Sequence, residues 1–218
     1  LNELDKELER RGLPFVRYAD DSMIFCKSKR AAMRVKESIT RFIENALYLK
    51  VNKEKTVVSY VRGVKYLGYS FYVMKGKCQL TVHPKSKAKM KSRLKELTSR
   101  SNGWGYAKRK QKLKEYIRGW VGYYHLANMK RLLLDTDEWL RRRIRMCIWK
   151  AWKKVKTKVA NLIRCGINKY QAYEWGNTRK GYWRIADSPV LKRAIDNNKL
   201  RSAGYATLME AYLEWYPK

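Results

Sequence analysis

The chain has 218 residues, enough for one or two compact domains and a small appendage. Its 51 Lys and Arg residues outnumber its 19 Asp and Glu residues, which gives a formal net charge of +32. So large a surplus would repel itself in a compact fold unless an anion neutralised part of it, and nucleic acid is the expected partner. A membrane surface is disfavoured, because the sequence has no run of about eighteen apolar residues and no signal peptide.

The cysteine spacing points to a reducing compartment. The four cysteines, at positions 26, 78, 147 and 165, form no C-x-x-C pair. We therefore expect neither a zinc site nor a disulfide framework, and we expect a reducing cytoplasm. The sequence begins at Leu1 in what reads as the middle of a domain, so the chain is expected to be a fragment.

The chain opens with strand and helix signals in alternation. Two β-prone runs, residues 15–18 and 23–26, flank Asp20-Asp21 and predict a hairpin. Apolar residues then recur at helical spacing over residues 31–46, with Ser28 as the predicted N-cap.

Three more β-prone runs follow, at residues 56–61, 64–73 and 78–82, with a turn at Gly76 before the last. Together with the hairpin and the helix they predict an α+β element built on an antiparallel sheet.

Helical periodicity takes over from Pro84. One helix is predicted around Met90–Leu97, and a second follows a break at residues 103–105. A longer helix is predicted to start near Thr136, with Asp137 and Glu138 in its first turn, and to run through Val155 or as far as Gly166.

The sequence of the tail predicts short helices that are separated by glycines and by one Ser-Pro pair. These breaks lie at Gly166, Gly176, Gly181, Ser188-Pro189 and Gly204. The middle third is the most basic, with 24 Lys and Arg residues against five acidic ones over residues 83–158. We therefore divide the chain into residues 1–82, 83–158 and 159–218.

Asp20-Asp21 is the sharpest chemical feature of the sequence. Two adjacent carboxylates at a hairpin tip repel each other unless a cation is bound there, and Mg²⁺ prefers such oxygen ligands. Two such ions can activate a 3′-hydroxyl and stabilise a pyrophosphate leaving group. The alternative is a solvated Asp-Asp turn.

Tyr18-Ala19-Asp20-Asp21 resembles the catalytic motif of reverse transcriptases. Residues 49–56 and 64–71 resemble the two blocks that follow it in that family. Further on, residues 93–97, 117–124 and 139–153 resemble the maturase (thumb) domain of group II intron proteins. Residues 181–191 resemble the tail of bacterial, IIC-like members, which is associated with DNA binding.

The resemblance implies roles for individual residues. Asp20 is the first choice as a metal ligand and Asp21 the second, in a two-metal Mg²⁺ site completed by an Asp upstream of Leu1. Tyr18 and Ala19 would line the floor near the primer terminus and the nucleotide.

Downstream of the hairpin, Lys55 would assist the departing pyrophosphate, or it is a surface lysine with no catalytic part. Leu67, Gly68 and Tyr69 would form the primer grip, although Gly68 could merely mark a bulge.

Nucleic-acid contacts are expected from the thumb and the tail, although a charge run is usually a solvated face. The predicted residues are Arg93, Lys95, Lys108, Arg109, Lys112, Arg118, Arg141, Arg142, Arg143, Lys150, Lys153, Arg179, Lys180 and Arg184. The thumb tryptophans are interpreted first as core and second as stacking platforms. The two histidines, His83 and His125, are interpreted as structural.

The predicted fold is α+β: the end of an antiparallel-sheet polymerase palm, an all-helical thumb and a small helical tail. The resemblance implies an RNA-directed DNA polymerase that binds its group II intron RNA, assists splicing and copies the intron at a DNA target. Its partners would be intron RNA, the DNA primer and the RNA template–DNA duplex. The chain alone is expected to be inactive, because the fingers and one metal-binding Asp would be missing.

Two other functions remain open. The protein could be a splicing cofactor with a vestigial polymerase site, although the presence of both Asp20 and Asp21 argues against this. It could also be a reverse transcriptase recruited to host defence.

Overall fold

The computed structural model describes residues 2–216 and divides the chain into two compact units after Thr81. The first unit begins with helix α1 (Asn2–Arg10), which the sequence analysis missed. Its Leu4 and Leu8, one helical turn apart, are buried against Ile39. This small core also takes in apolar side chains of the hairpin that follows.

The predicted hairpin is confirmed as β1 (Phe15–Tyr18) and β2 (Asp21–Ile24). The strands pair antiparallel with Tyr18 opposite Asp21, which leaves a two-residue turn between them. The predicted second helix is also confirmed as α2 (Lys29–Asn45), and Ser28 caps it by accepting the N–H of Ala31 at 3.2 Å.

The second sheet contains β3 (Lys65–Tyr66), β4 (Tyr69–Met74) and β5 (Lys77–Val82), in that order. The predicted run at 64–73 is therefore a hairpin, because Leu67 and Gly68 both have positive φ and reverse the chain. Lys75 and Gly76 make the next turn in the same way, as the sequence predicted for Gly76.

The strand predicted at residues 56–61 is wrong. Thr56 instead closes a turn, in which its N–H and its hydroxyl both donate to the carbonyl of Asn52. The segment then stays irregular up to a short 3₁₀ turn, Val61–Gly63. Val57 within it is 71% exposed, so this β-branched side chain gains little of the packing that strand propensity reflects.

The second unit is helical. Helix α3 (Pro84–Leu97) buries Met90, Leu94 and Leu97, and α4 (Tyr106–Tyr124) follows the predicted break. The bounds predicted for the long helix are wrong. Helix α5 (Lys130–Ala151) starts six residues before Thr136 and ends four before Val155. Asp137 thus lies inside the helix, where it is buried.

A separate helix, α6 (Val155–Arg164), follows the break after α5 and ends before Gly166, whose φ is +88°. The short tail helices are confirmed. They are α7 (Lys169–Gly176), α8 (Tyr182–Ile185), α9 (Pro189–Ala194), α10 (Asn197–Ser202) and α11 (Leu208–Leu213).

The tail packs back onto the helices that precede it. Helix α8 contacts α5, α11 lies against both α4 and α5, and α6 packs on α7. The two antiparallel sheets and the helical second unit confirm the α+β fold class. No helix within residues 2–216 is long and apolar enough to cross a membrane.

Candidate active site and nucleic-acid interface

The β1–β2 turn presents both aspartates of the motif to solvent. Ala19 and Asp20 form the two-residue turn, Asp21 opens β2, and all three residues are exposed. Ala19 has φ +52°, a left-handed conformation that costs a non-glycine residue about 1–3 kcal/mol. Glycine is usual at this first position of such a turn, so the hairpin holds Ala19 in a strained conformation.

Arg17 ties this turn to helix α1. Its Nε donates to Asp5 Oδ1 at 2.7 Å, and its Nη2 bonds the other carboxylate oxygen. Its Nη1 donates to the carbonyl of Ala19 at 2.9 Å. The hydrogen bonds from Arg17 lower the pKa of Asp5; burial opposes them, and the positive charge of Arg17 adds a smaller lowering effect.

The two carboxylates fit a hard divalent cation such as Mg²⁺, because they are adjacent, exposed oxygen donors. Within residues 2–216 no group of three or more His, Cys, Asp or Glu side chains could hold a metal ion. The pair alone does not make up such a group, so the role of Asp20 and Asp21 as metal ligands stays a prediction. All four cysteines are free thiols.

Lys55 lies on an exposed turn formed by residues 52–56. Its backbone N–H donates to Asn52 Oδ1 at 3.1 Å, and its side chain is exposed. None of its described contacts reaches the aspartate hairpin. No hydrogen bond or ion pair within residues 2–216 joins Lys55 to Asp20 or Asp21, and its catalytic role stays a prediction.

The turn predicted as the primer grip lies next to Tyr66, which does share the surroundings of the aspartate hairpin. Burial raises the pKa of the Tyr66 hydroxyl, the negative charge of Asp21 raises it further, and Arg17 opposes both. The Tyr66 oxygen is buried and has no hydrogen-bond partner within residues 2–216. Tyr66 therefore lies close enough to the aspartate hairpin for the charges of Asp21 and Arg17 to act on its hydroxyl.

In the second unit, several basic side chains that were predicted to contact nucleic acid make hydrogen bonds within the protein. Arg143 donates from Nε to Thr98 Oγ1 at 2.6 Å and from Nη2 to the carbonyls of Lys95 and Thr98. Lys150 donates to the carbonyl of Arg100 at 2.7 Å. These bonds place cations at the C-terminal end of α3, where carbonyl groups and the helix dipole favour them.

Arg109 joins the same region from α4. Only 5% of its surface is exposed, and its Nη2 donates to Asn102 Oδ1 at 3.1 Å. Its Nε has no partner within the described residues. Since these three cations make intramolecular bonds, the structure gives them a role in packing, and their contacts with nucleic acid stay predictions.

Arg142 also makes its contacts within the protein. It donates to the Trp183 carbonyl, stacks on the Trp183 ring and lies 3.4 Å from Asp187, on the edge of a cleft of about 580 Å³. Lys192 pairs with the same Asp187 at 2.8 Å. The negative charge of Asp187 offsets part of the positive charge of Arg142 and Lys192.

The remaining predicted cations are exposed, apart from Arg141, which is half-buried. Two of them lie over aromatic rings: Lys108 is 5.4 Å from the Trp104 ring centroid, and Lys180 is 4.6 Å from that of Trp175. Two others form surface ion pairs, Arg93 with Glu96 and Lys112 with Glu115. The others that are exposed are Lys95, Arg118, Lys153, Arg179 and Arg184.

Two family profiles match the chain, one after the other along the sequence. The reverse transcriptase (RNA-dependent DNA polymerase) profile matches residues 1–71, which include the aspartate hairpin. The profile of the group II intron maturase-specific domain matches residues 87–166, from α3 through α6. The chain belongs to the group II intron reverse transcriptase/maturases. No curated protein matches it.

The two matched domains of this reverse transcriptase/maturase indicate a role in intron splicing and reverse transcription. The aspartates and Tyr66 lie in the first match. Arg109, Arg143 and Lys150, which make hydrogen bonds within the protein, lie in the second. Residues 167–218 lie outside both, so DNA binding by the tail stays a prediction.

Sequence reasoning missed Arg17, Asp5 and Tyr66. Arg17 lies one residue before the motif, and that position was the available signal. Nothing in the sequence pairs it with Asp5, because the approach of α1 to β1 is a tertiary contact. Tyr66 lies within residues 64–71, which resemble a block of the family, but no role was predicted for it.

Proposed function

We propose that this chain carries the catalytic aspartates of an RNA-directed DNA polymerase, which binds group II intron RNA and copies it from a DNA primer. The observation that supports the proposal is the tight hairpin that exposes Asp20 and Asp21 side by side. Tyr18 and Ala19 precede them and would lie near the primer terminus and the incoming nucleotide. We further propose that the protein acts in the bacterial cytoplasm.

In the proposed reaction the primer 3′-oxygen attacks the α-phosphorus of a deoxynucleoside triphosphate. The new P–O bond forms as the bond between the α-phosphorus and the bridging oxygen of the β-phosphate breaks, so pyrophosphate leaves and the hydroxyl proton passes to water. Asp20, with Asp21 as a further ligand, would hold Mg²⁺, and the bound metal would lower the pKa of the hydroxyl and stabilise the leaving group. Leu67, Gly68 and Tyr69 would position the primer end, and Lys55 would stabilise the departing pyrophosphate.

The second unit would follow the template–primer duplex and the intron RNA through its basic side chains. The candidates are the half-buried Arg141 and seven exposed cations: Lys95, Lys108, Arg118, Lys153, Arg179, Lys180 and Arg184. Such contacts act on phosphates and do not depend on the base sequence. Catalysis would therefore depend on the β1–β2 hairpin, and affinity for nucleic acid would depend on the helices of the second unit.

Replacing Asp20 tests this separation in the complete protein. Asn keeps the shape of Asp but loses the charge that binds a cation, so Asp20→Asn should abolish primer extension and leave intron RNA affinity within a few-fold. The matched control is Asp135→Asn, an exposed aspartate on α5, which should change neither measurement. Primer extension by Asp20→Asn at the wild-type rate would favour a splicing cofactor with a vestigial polymerase site.

A further inference from the structure

We propose that Arg17, anchored by Asp5, is a positioning residue that sets the orientation of the Asp20 carboxylate. This inference rests on the proposed function, and it adds two residues that neither the motif nor the family match assigns. The structure supports it through one guanidinium group with two separate sets of partners.

The first set of partners fixes the arginine itself. The Nε and Nη2 edge of Arg17 forms a two-pronged ion pair with the carboxylate of Asp5. Asp5 lies on α1 between Leu4 and Leu8, whose side chains are 4% and 0% exposed in the core of the first unit. Because its neighbours on the helix are packed, Asp5 offers a rigid anchor.

The second partner is the turn. Arg17 Nη1 donates to the carbonyl of Ala19, which belongs to the same planar peptide group as the N–H of Asp20. Holding that carbonyl therefore fixes the plane from which the Asp20 backbone continues. The turn needs such a constraint, because Ala19 is in the left-handed region that favours glycine.

Only arginine can make both sets of bonds at once. Its guanidinium is planar and presents five donors in fixed directions, whereas the ammonium group of lysine is a compact charge without that fork. A charge effect alone would survive replacement by lysine. A positioning effect would not, and this difference separates the two explanations.

The first test uses the chain without metal or nucleic acid. Hydrogen–deuterium exchange of the peptide spanning residues 15–24 should be several-fold faster in Arg17→Gln than in the wild type. The matched control is Arg10→Gln, which removes an exposed ion pair with Glu7 on the same helix but does not touch the hairpin. Circular dichroism shows whether each variant stays folded. Unchanged exchange in folded Arg17→Gln would overturn the inference.

The second test measures primer extension in the complete protein. Arg17→Gln should lower kcat about 100-fold, which is the effect of a misplaced catalytic group. The KM for the nucleotide should change little, and the Mg²⁺ concentration for half-maximal rate should rise. Asp5→Asn should act in the same direction, Arg17→Lys should restore only part of the rate, and Arg10→Gln should match the wild type. Full restoration by Arg17→Lys would show that charge suffices and would overturn the positioning role.

Asp20→Asn, assayed in parallel, keeps the two hypotheses distinct. If Asp20→Asn extends primers normally, the proposed function fails, while the exchange experiment still decides whether Arg17 orders the turn. If Asp20→Asn is inactive and Arg17→Gln has wild-type kcat and metal dependence, only the inference about Arg17 fails.

Discussion

The guanidinium of Arg142 stacks on the ring of Trp183, with its central carbon 3.9 Å from the ring centroid. The same group donates from Nε and Nη2 to the Trp183 carbonyl, at 3.2 and 3.0 Å. Arg142 lies within the maturase-specific match and Trp183 lies beyond it. This contact joins the tail to α5, in keeping with the single compact unit that follows Thr81.

We predict that this contact contributes measurably to stability. A double-mutant cycle with Arg142→Ala and Trp183→Ala should give a coupling of about 1 kcal/mol in the free energy of urea unfolding. The matched control is the pair Lys180 and Trp175, whose cation–ring contact lies wholly within the tail. Only the first pair should alter protease sensitivity near residues 181–187. Strictly additive effects of Arg142→Ala and Trp183→Ala would contradict the prediction.

Asp137 is predicted to hold α11 against α5. Its two carboxylate oxygens accept the N–H groups of Leu208 and Met209, at 2.8 and 2.9 Å. Asp137→Ala would leave both N–H groups without an acceptor, so the free energy of unfolding should fall by about 1–3 kcal/mol. Asp135→Ala, an exposed change on the same helix, should have little effect in the same urea titration. Equal loss in the two variants would show that the carboxylate bonds do not matter.

The same carboxyl group gives a prediction for pH. Burial raises the pKa of Asp137 above its ordinary 3.8, although its two backbone hydrogen bonds act the other way. A raised pKa in the folded state favours the protonated form. The titration of Asp137 therefore contributes stability that is full below pH 3.8 and is lost as the pH rises through the folded-state pKa. Carboxyl ¹³C NMR of the folded chain should show Asp137 titrating above pH 3.8, and a midpoint at or below that value would contradict this.

Local elements of this fold could be predicted from the sequence because their signals are local. Helix α2 follows from apolar spacing and the Ser28 cap, and the aspartate hairpin follows from two β-prone runs around a turn. Asp137 shows where this reasoning ends. An acidic residue suits the first turn of a helix, which is why the sequence placed a helix start near it. In the fold it serves the first turn of another helix, 71 residues later.

The candidate site also contains residues that the sequence identifies and residues that it does not. The aspartates could be identified because they are contiguous in a motif, whereas the residues around them come together only in the tertiary structure. The basic surface was harder to predict. Arg141, Arg142 and Arg143 are adjacent in sequence, but successive helical residues point about 100° apart. Arg142 and Arg143 consequently bond carbonyl groups of different segments, at Trp183 and at residues 95–98.

Replacing Tyr66 tests whether the tyrosine next to the predicted primer grip takes part in the reaction at the aspartate hairpin. Its hydroxyl is buried and has no partner among the described residues, so Tyr66→Phe should leave the free energy of unfolding unchanged or slightly higher. We expect primer extension to fall nonetheless, because the hydroxyl shares the surroundings of Asp21 and Arg17. Tyr60→Phe, at a tyrosine that is 80% exposed, is the matched control. Full activity of a stable Tyr66→Phe would exclude the hydroxyl from the site.

The last prediction separates two neighbouring arginines of α5. Arg141 makes no hydrogen bond or close ion pair with any residue from 2 to 216, whereas Arg143 makes three hydrogen bonds at the end of α3. Arg141→Gln should therefore keep the fold and reduce the slope of log K against log salt by about 0.9, the contribution of one phosphate contact to B-form DNA. Glutamine keeps much of the aliphatic stem, so the change isolates the charge.

Arg143→Gln should behave in the opposite way. It should lower the free energy of unfolding by about 1–3 kcal/mol, because the Thr98 hydroxyl and two carbonyls lose their donor. The salt slope of the folded variant should match that of the wild type, because the Arg143 charge is directed into the protein. Duplex binding from low to moderate salt, with urea unfolding of the same samples, measures both quantities. A reduced slope for Arg143→Gln with unchanged stability would mean that Arg143 leaves its internal partners to bind phosphate.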